Sequence, residues 1–104
     1  MSDCIFCKIA EKTLPAEVVF EDGDFIVFKD IKQDARVHLL VVPKKHIGSI
    51  KDIGESDTEI MGKLILTAKK IAEGQNLSGY KLVFNVGRDG GQIVEHIHMH
   101  LLAN

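Results

Sequence analysis

The chain has 104 residues, 45% of them hydrophobic and 27% charged, with a formal net charge of -2. That length suits one compact domain, read as residues 1–104, and the composition excludes disorder. Lysines interleaved with Asp and Glu leave no basic stripe for nucleic acid, and neither a signal-peptide pattern nor a membrane-length apolar run is present, so a soluble, unexported, cytoplasmic chain with no nucleic-acid or membrane partner is expected.

In chain order, Asp3 is placed to cap a short helix through about Ala10, which sets Cys4 and Cys7 on one side of a turn. Thr13, Leu14 and Pro15 end it. Residues 17–21 and Phe25–Lys29 read as strands joined by an Asp22-Gly23 turn and paired antiparallel. Residues 38–42 make a third strand, stopped by Pro43. Ser56-Asp57-Thr58-Glu59 has the form of a capping box, and Ile60, Met61, Leu64, Ile65, Ala68, Ile71 and Ala72 follow at helical spacing as far as Gly74. Residues 81–86 read as a strand that is apolar on both faces and so covered on both. After the glycine-bearing turn at 87–91, residues 95–102 close the chain as a fifth strand.

Two hairpin-like pairs, one long helix and no strand–helix alternation give an α+β fold: a five-stranded, mostly antiparallel sheet with one long helix and a short N-terminal one. Gly87, Gly90 and Gly91 lack the G-x-G-x-x-G spacing, and no P-loop pattern occurs, so any phosphate site is built differently.

His96, His98 and His100 alternate with Ile97, Met99 and Leu101. In a strand, this period places three imidazoles on one face, with α-carbons about 6.7 Å apart. A lone histidine on an apolar strand is ordinarily a core residue satisfied by a carbonyl, but three side by side would leave unmet hydrogen bonds unless something polar or metallic lay opposite. Imidazoles that are neutral nucleophiles or phosphate donors near neutral pH answer that need, and a metal site using all three is the rival. Cys4 and Cys7 close too short a loop to staple the fold by a disulfide; metal binding, redox chemistry and two inert thiols all stay open.

His96-Ile97-His98-Met99-His100-Leu101-Leu102 resembles the His-φ-His-φ-His-φ-φ signature of the histidine triad superfamily. The likeness extends to the segments 4–9, 41–47 and 85–92, which resemble the Hint branch of nucleoside phosphoramidases, and so runs through nearly the whole chain.

The resemblance implies that His98 is the nucleophile, attacking the α-phosphorus of a purine nucleoside phosphoramidate or aminoacyl adenylate to form a nucleotidyl-histidine that water hydrolyses. It implies that His100 and His38 stabilise the phosphate, with His100 also a proton donor. Asp30 and Ile31 match positions that contact the nucleoside, Phe6 and Ile9 positions lining the base pocket, and Asn85, Gly91, Gln92 and Ile93 the loop that approaches the phosphate; His98 and His100 touch substrate too. Relatives that bind zinc do so through positions equivalent to Cys4, Cys7, His46 and His96, a closed structural set. No organic cofactor is implied. Relatives pair as homodimers, joining two five-stranded sheets into ten strands. This chain departs from the pattern at Gln33 and Arg36, where prolines are usual, at Ile93, where a hydroxyl or carboxylate often assists the leaving group, and after Asn104, where relatives carry an extension that shapes specificity. A dinucleoside polyphosphate hydrolase and a zinc-stabilised nucleotide-binding module are the alternative functions.

Overall fold

The computed structural model describes residues 4–32 and 34–104. Its elements are α1 (Ile5–Ala10), β1 (Val18–Glu21), β2 (Phe25–Lys29), β3 (Val37–Pro43), α2 (Thr58–Gly74), β4 (Lys81–Val83) and β5 (Met99–Ala103), with 3-10 turns at Ile50–Asp52, Glu55–Asp57 and Arg88–Gly90. The five strands form one sheet in the order β1-β2-β3-β5-β4, and every neighbouring pair is antiparallel. The α+β expectation holds, with a sheet antiparallel throughout. Among the described residues no helix is long and apolar enough to cross a membrane.

β2 and β3 are continuous apolar runs because both of their faces are covered. On one face Phe25, Val27, Leu39, Val41, Met99 and Leu101 meet Leu64, Ala68 and Ala72 of α2, the alanines letting the helix lie close to the sheet. On the other, Ile26, Phe28, Leu40 and Val42 meet Phe6 and Ile9 of α1. Each large side chain so buried contributes about 1.5–3 kcal/mol. The β1–β2 turn follows its sequence signal: Asp22 Oδ1 accepts from the amides of Asp24 and Phe25, both at 2.8 Å.

Several boundaries differ from the sequence reading. Asp3 and Gln33 lie outside the described residues; Cys4 occupies the N-cap of α1, its Sγ accepting from the Cys7 amide at 3.3 Å. No capping box forms on Ser56. Asp57 is instead committed to the preceding 3-10 turn, where Oδ2 accepts from the Gly54 amide at 2.9 Å and Oδ1 holds Lys45 at 3.0 Å. β4 ends at Val83 and is a sheet edge with Leu82 exposed, so within this chain it is not covered on both sides; the doubly covered strands are β2 and β3. β5 begins only at Met99, and residues 95–98 precede it without joining the ladder. The cause is local: the His96 carbonyl accepts from the His98 ring at 2.7 Å, and the Ile97 amide donates to the Ile47 carbonyl at 2.6 Å, so these groups are unavailable to β3.

Candidate active site and metal cluster

Leu40 stands opposite His100 in the ladder, and both lie on the α1 face of the sheet. His98 shares that face: its ring meets Phe6 of α1 edge-on, with centroids 4.9 Å apart, and lies 5.1 Å from the His100 ring. His96 follows at 5.9 Å from Phe6. The three imidazoles therefore line one side, as the alternation predicts, although only His100 belongs to a strand.

The proton positions follow from the partners of each ring. His98 Nδ1 donates to the His96 carbonyl at 2.7 Å, which leaves the Nε2 lone pair free. Burial, opposed by that hydrogen bond and by the charge of Asp30, pushes the His98 pKa below its ordinary value and favours the neutral ring. His38 Nδ1 accepts from the Asp34 amide at 3.2 Å, so the proton of the neutral ring sits on Nε2. That Nε2–H is 2.9 Å from His100 Nδ1 and 3.3 Å from Asp30 Oδ2. His100 thus accepts at Nδ1 and carries its own proton on Nε2. Burial first, then the charges of His98 and His38, lower the His100 pKa as well.

A cavity of about 480 Å³ opens beside this row, lined by His38, His100 and Asn85 and continuing along β4 to Lys81 and Tyr80. His98 is buried beneath Phe6 and is absent from the cavity wall; His100 is the triad residue that faces it.

A second cluster lies beside the first. Cys4, Cys7, His46 and His96 bring their ligand atoms within 4.8 Å of one another. The His46 and His96 Nδ1 atoms are 3.1 Å apart, and sulfur-to-nitrogen distances are 3.3 Å for Cys4–His96, 3.4 Å for Cys7–His46 and 3.6 Å for Cys7–His96. A tetrahedral zinc with two sulfur and two nitrogen ligands has ligand-to-ligand edges of roughly 3.3–3.8 Å, so the set is close to closing on an ion. His96 donates Nε2–H to the Pro43 carbonyl at 2.8 Å, which turns the Nδ1 lone pair into the cluster, as a metal-ligating imidazole requires. Burial and the adjacent Cys4 push the Cys7 thiol up to about 11, a cost that a cation between the sulfurs would offset.

Asp30, His38 and His100 also converge within 4.8 Å. Their hydrogen bonds oppose a metal there. With the Asp34 amide on Nδ1, His38 would have to lose its last ring proton to ligate through Nε2. This trio is a proton-bearing network, whereas in the cysteine cluster His96 turns a lone pair inward.

The family profile described as "Scavenger mRNA decapping enzyme C-term binding" matches residues 3–104. Protein HitA of Neisseria gonorrhoeae is 43% identical over 104 residues, covering 99% of this chain and 97% of that protein. The chain belongs to the histidine triad superfamily. A HIT family hydrolase from Legionella pneumophila superposes with a TM-score of 0.96 at 50% identity, over 98% of this chain and 93% of that one. A zinc-bound histidine triad family protein from Mycobacterium smegmatis superposes with a TM-score of 0.83 at 30% identity, over 99% of this chain and 76% of that one.

The remaining residues singled out from the histidine triad likeness fall in different settings. Asp30 points one oxygen at His38 and the other at the Lys32 amide, 2.9 Å away, while Ile31 beside it is fully exposed. Phe6 and Ile9 are buried against the sheet, and the Phe6 ring meets the triad rings. Asn85 lines the cavity and donates to the Gly90 carbonyl at 2.9 Å. Gly91 has φ +90, a backbone conformation that L side chains rarely adopt, so the turn favours glycine there. Gln92 is buried: Oε1 accepts from the Gly87 amide, and Nε2 donates to the Gly48 and Val94 carbonyls. Its side chain braces from within the loop that the histidine triad likeness places against the phosphate. Ile93 is almost fully exposed. The sequence reading missed the Asp34 amide and the Pro43 carbonyl, backbone groups with no side-chain signature, and it missed Lys81 and Tyr80 on the cavity wall.

Proposed function

We propose that this protein is a hydrolase that cleaves the P–N bond of purine nucleoside phosphoramidates, or the related bond of aminoacyl adenylates, through a nucleotidyl group carried on His98. The observation that carries the reading is the 2.7 Å bond from His98 Nδ1 to the His96 carbonyl, which presents Nε2 as a neutral nucleophile beside a row of donors. The Legionella pneumophila relative, a HIT family hydrolase at 50% identity, supports hydrolysis as the class of reaction.

In this reading Nε2 of His98 attacks phosphorus in line, the P–N bond breaks with its electron pair going to nitrogen, and the departing amine takes up a proton. His100, its Nδ1 engaged by His38, offers Nε2–H to a non-bridging phosphate oxygen or to the departing amine. Water then displaces His98 and releases the nucleotide. Asp30 would accept the ribose hydroxyls, Ile31, Phe6 and Ile9 would bound the base, and Asn85, Gly91 and the exposed Ile93 would face the phosphate and leaving group. Ile93 cannot donate a proton, so the leaving group relies on His100.

Zinc in the Cys4–Cys7–His46–His96 cluster would fasten α1 to the loops at 46 and 96; it supplies structure and leaves no open position for water. The zinc-bound relative supports this assignment. The open edge of β4 supports homodimer formation by strand pairing across it. The two free cysteines suit a reducing, cytoplasmic setting.

The test is turnover of adenosine 5'-phosphoramidate beside a diadenosine polyphosphate, with acid-quenched protein analysed by mass for a nucleotidyl adduct. The phosphoramidate should be cleaved faster, and His98→Ala should lower kcat by about a thousandfold or more while AMP still binds. Undiminished turnover by that variant would remove His98 from the chemistry.

A further inference from the structure

Apart from the methionines, the chain's sulfur atoms are those of Cys4 and Cys7, and both lie in the metal cluster. They take the N-cap and the third position of α1, and the Lys8 amide closes that turn on the Cys4 carbonyl at 3.0 Å. Cys4 Sγ accepts from the Cys7 amide at 3.3 Å and lies within 4.8 Å of Cys7 Sγ. Residues three apart on a helical turn stand about 5–6 Å apart at Cβ, whereas a disulfide needs about 3.5–4.5 Å. A small tightening of one turn therefore makes the bridge. Zinc and the bridge exclude each other, because a tetrahedral ion holds two sulfurs roughly 3.8 Å apart and a disulfide holds them at about 2.05 Å. A ring of so few residues removes little chain entropy and compresses its turn, so the bridge belongs with the readily reduced disulfides and not with the structural ones.

The two thiols differ in access. Cys4 is half-buried at the start of the helix, and Cys7 is buried. We infer that Cys4 and Cys7 form a reversible thiol switch: a low-molecular-weight disulfide converts them to an intramolecular bridge, the zinc is given up, and the seat of His98 loosens. The inference rests on the proposed zinc assignment and, for its effect on His98, on the proposed nucleotide site. The Cys4 thiolate attacks one sulfur of the small disulfide and expels the other as a thiolate; Cys7 then attacks the Cys4 sulfur and expels the second. Two protein thiolates are oxidised, one small disulfide is reduced to two thiols that take their protons from water, and the ion is released in its original oxidation state. His46 and His96 remain as two imidazoles, too few for a closed four-coordinate set. Both supports of His98 are then slack. Phe6, between the two cysteines, meets the His98 ring at 4.9 Å, and His96 holds the His98 Nδ1–H on its carbonyl at 2.7 Å.

The experiment treats zinc-loaded protein with glutathione disulfide and follows intact mass, zinc released to a coloured chelator, and AMP affinity by calorimetry. One zinc per chain should be released as the protein loses the mass of two hydrogen atoms, and dithiothreitol with added zinc should reverse both changes. AMP affinity should fall about fivefold or more, the lower end of coupling between linked sites. Cys7→Ser should stop at a stable glutathione adduct on Cys4, and Cys4→Ser should react more slowly because its remaining thiol is buried. Zinc retained by the bridged protein, a lasting adduct on the parent chain, or no reaction at all would overturn the switch. Equal AMP affinities of the bridged and zinc-loaded forms would overturn its reach to His98. If the reduced protein takes up no zinc, the zinc assignment fails, and the thiol pair stands or falls on whether the bridge forms and reverses. If neither form binds AMP, the nucleotide reading fails, and zinc release alone decides the switch.

Discussion

Two clusters of histidine and acidic or sulfur groups sit side by side on one face of the sheet, and the difference between them lies in the far nitrogen of each ring. In the cysteine cluster, His96 gives its Nε2 proton to the Pro43 carbonyl and turns a lone pair inward. In the Asp30–His38–His100 trio, the Asp34 amide occupies His38 Nδ1 and turns a proton inward. One backbone carbonyl and one backbone amide thus make a ligand set of the first and a hydrogen-bond relay of the second. Residue type and spacing alone would have made both into metal sites.

The largest effect should come from metal removal. A structural zinc present at a hundred times its Kd adds about 2.7 kcal/mol to stability. For a chain of this size that raises Tm by roughly 10–20 °C. Chelation or Cys7→Ser should abolish that rise, whereas His38→Gln should keep one zinc per chain, as measured by elemental analysis alongside thermal melts. Zinc lost from the His38 variant and retained by the Cys7 variant would reverse the contrast between the clusters.

A smaller change is expected when the relay is cut. His38→Gln should lower kcat about 10- to 100-fold with little change in KM, because His100 loses the donor that fixes its tautomer. Nitrogen chemical shifts of His100 provide the independent readout: a single Nε2–H form in the parent protein should become a mixture in the variant. An unchanged tautomer would mean that His38 does not act through His100.

The smallest effect concerns pH. Burial, then the charges of His98 and His38, hold the His100 pKa below its ordinary 6.5. The unfolded chain therefore binds a proton before the folded one does as the pH falls. This contribution to stability is complete above 6.5 and is lost as the pH falls through the folded value. A histidine titration followed by NMR, with urea melts on either side of 6.5, checks the sign; a folded-state pKa for His100 at or above 6.5 would contradict it.

Much of this was legible in the sequence because it rests on periodic burial. β2, β3 and α2 stand where apolar spacing puts them, and Leu64, Ala68 and Ala72 face the core as the helical period requires. The shared face of His96, His98 and His100 was also readable. The start of β5 was not, because a side chain competes with the ladder for the His96 carbonyl, and alternation carries no sign of that. The extent of β4 was overread because apolar character on both faces suits a covered strand and an edge strand equally. The hydrogen bonds that tie the Gln92 amide into its loop carry no signal in residue type or spacing. Lys81 carries no signal beyond its place in a strand; its register opposite Leu102 sets it on the cavity side.

Helix α1 is six residues long, far below the length at which a helix persists unaided in water, and its N-cap is a sulfur atom. Cys4 Sγ accepts the Cys7 amide at 3.3 Å and would coordinate zinc through the same atom. Zinc binding at this cluster would therefore coincide with nucleation of the first turn. The rate at which the Cys7, Lys8 and Glu11 amides exchange with deuterium becomes a gauge of zinc occupancy, legible without any substrate.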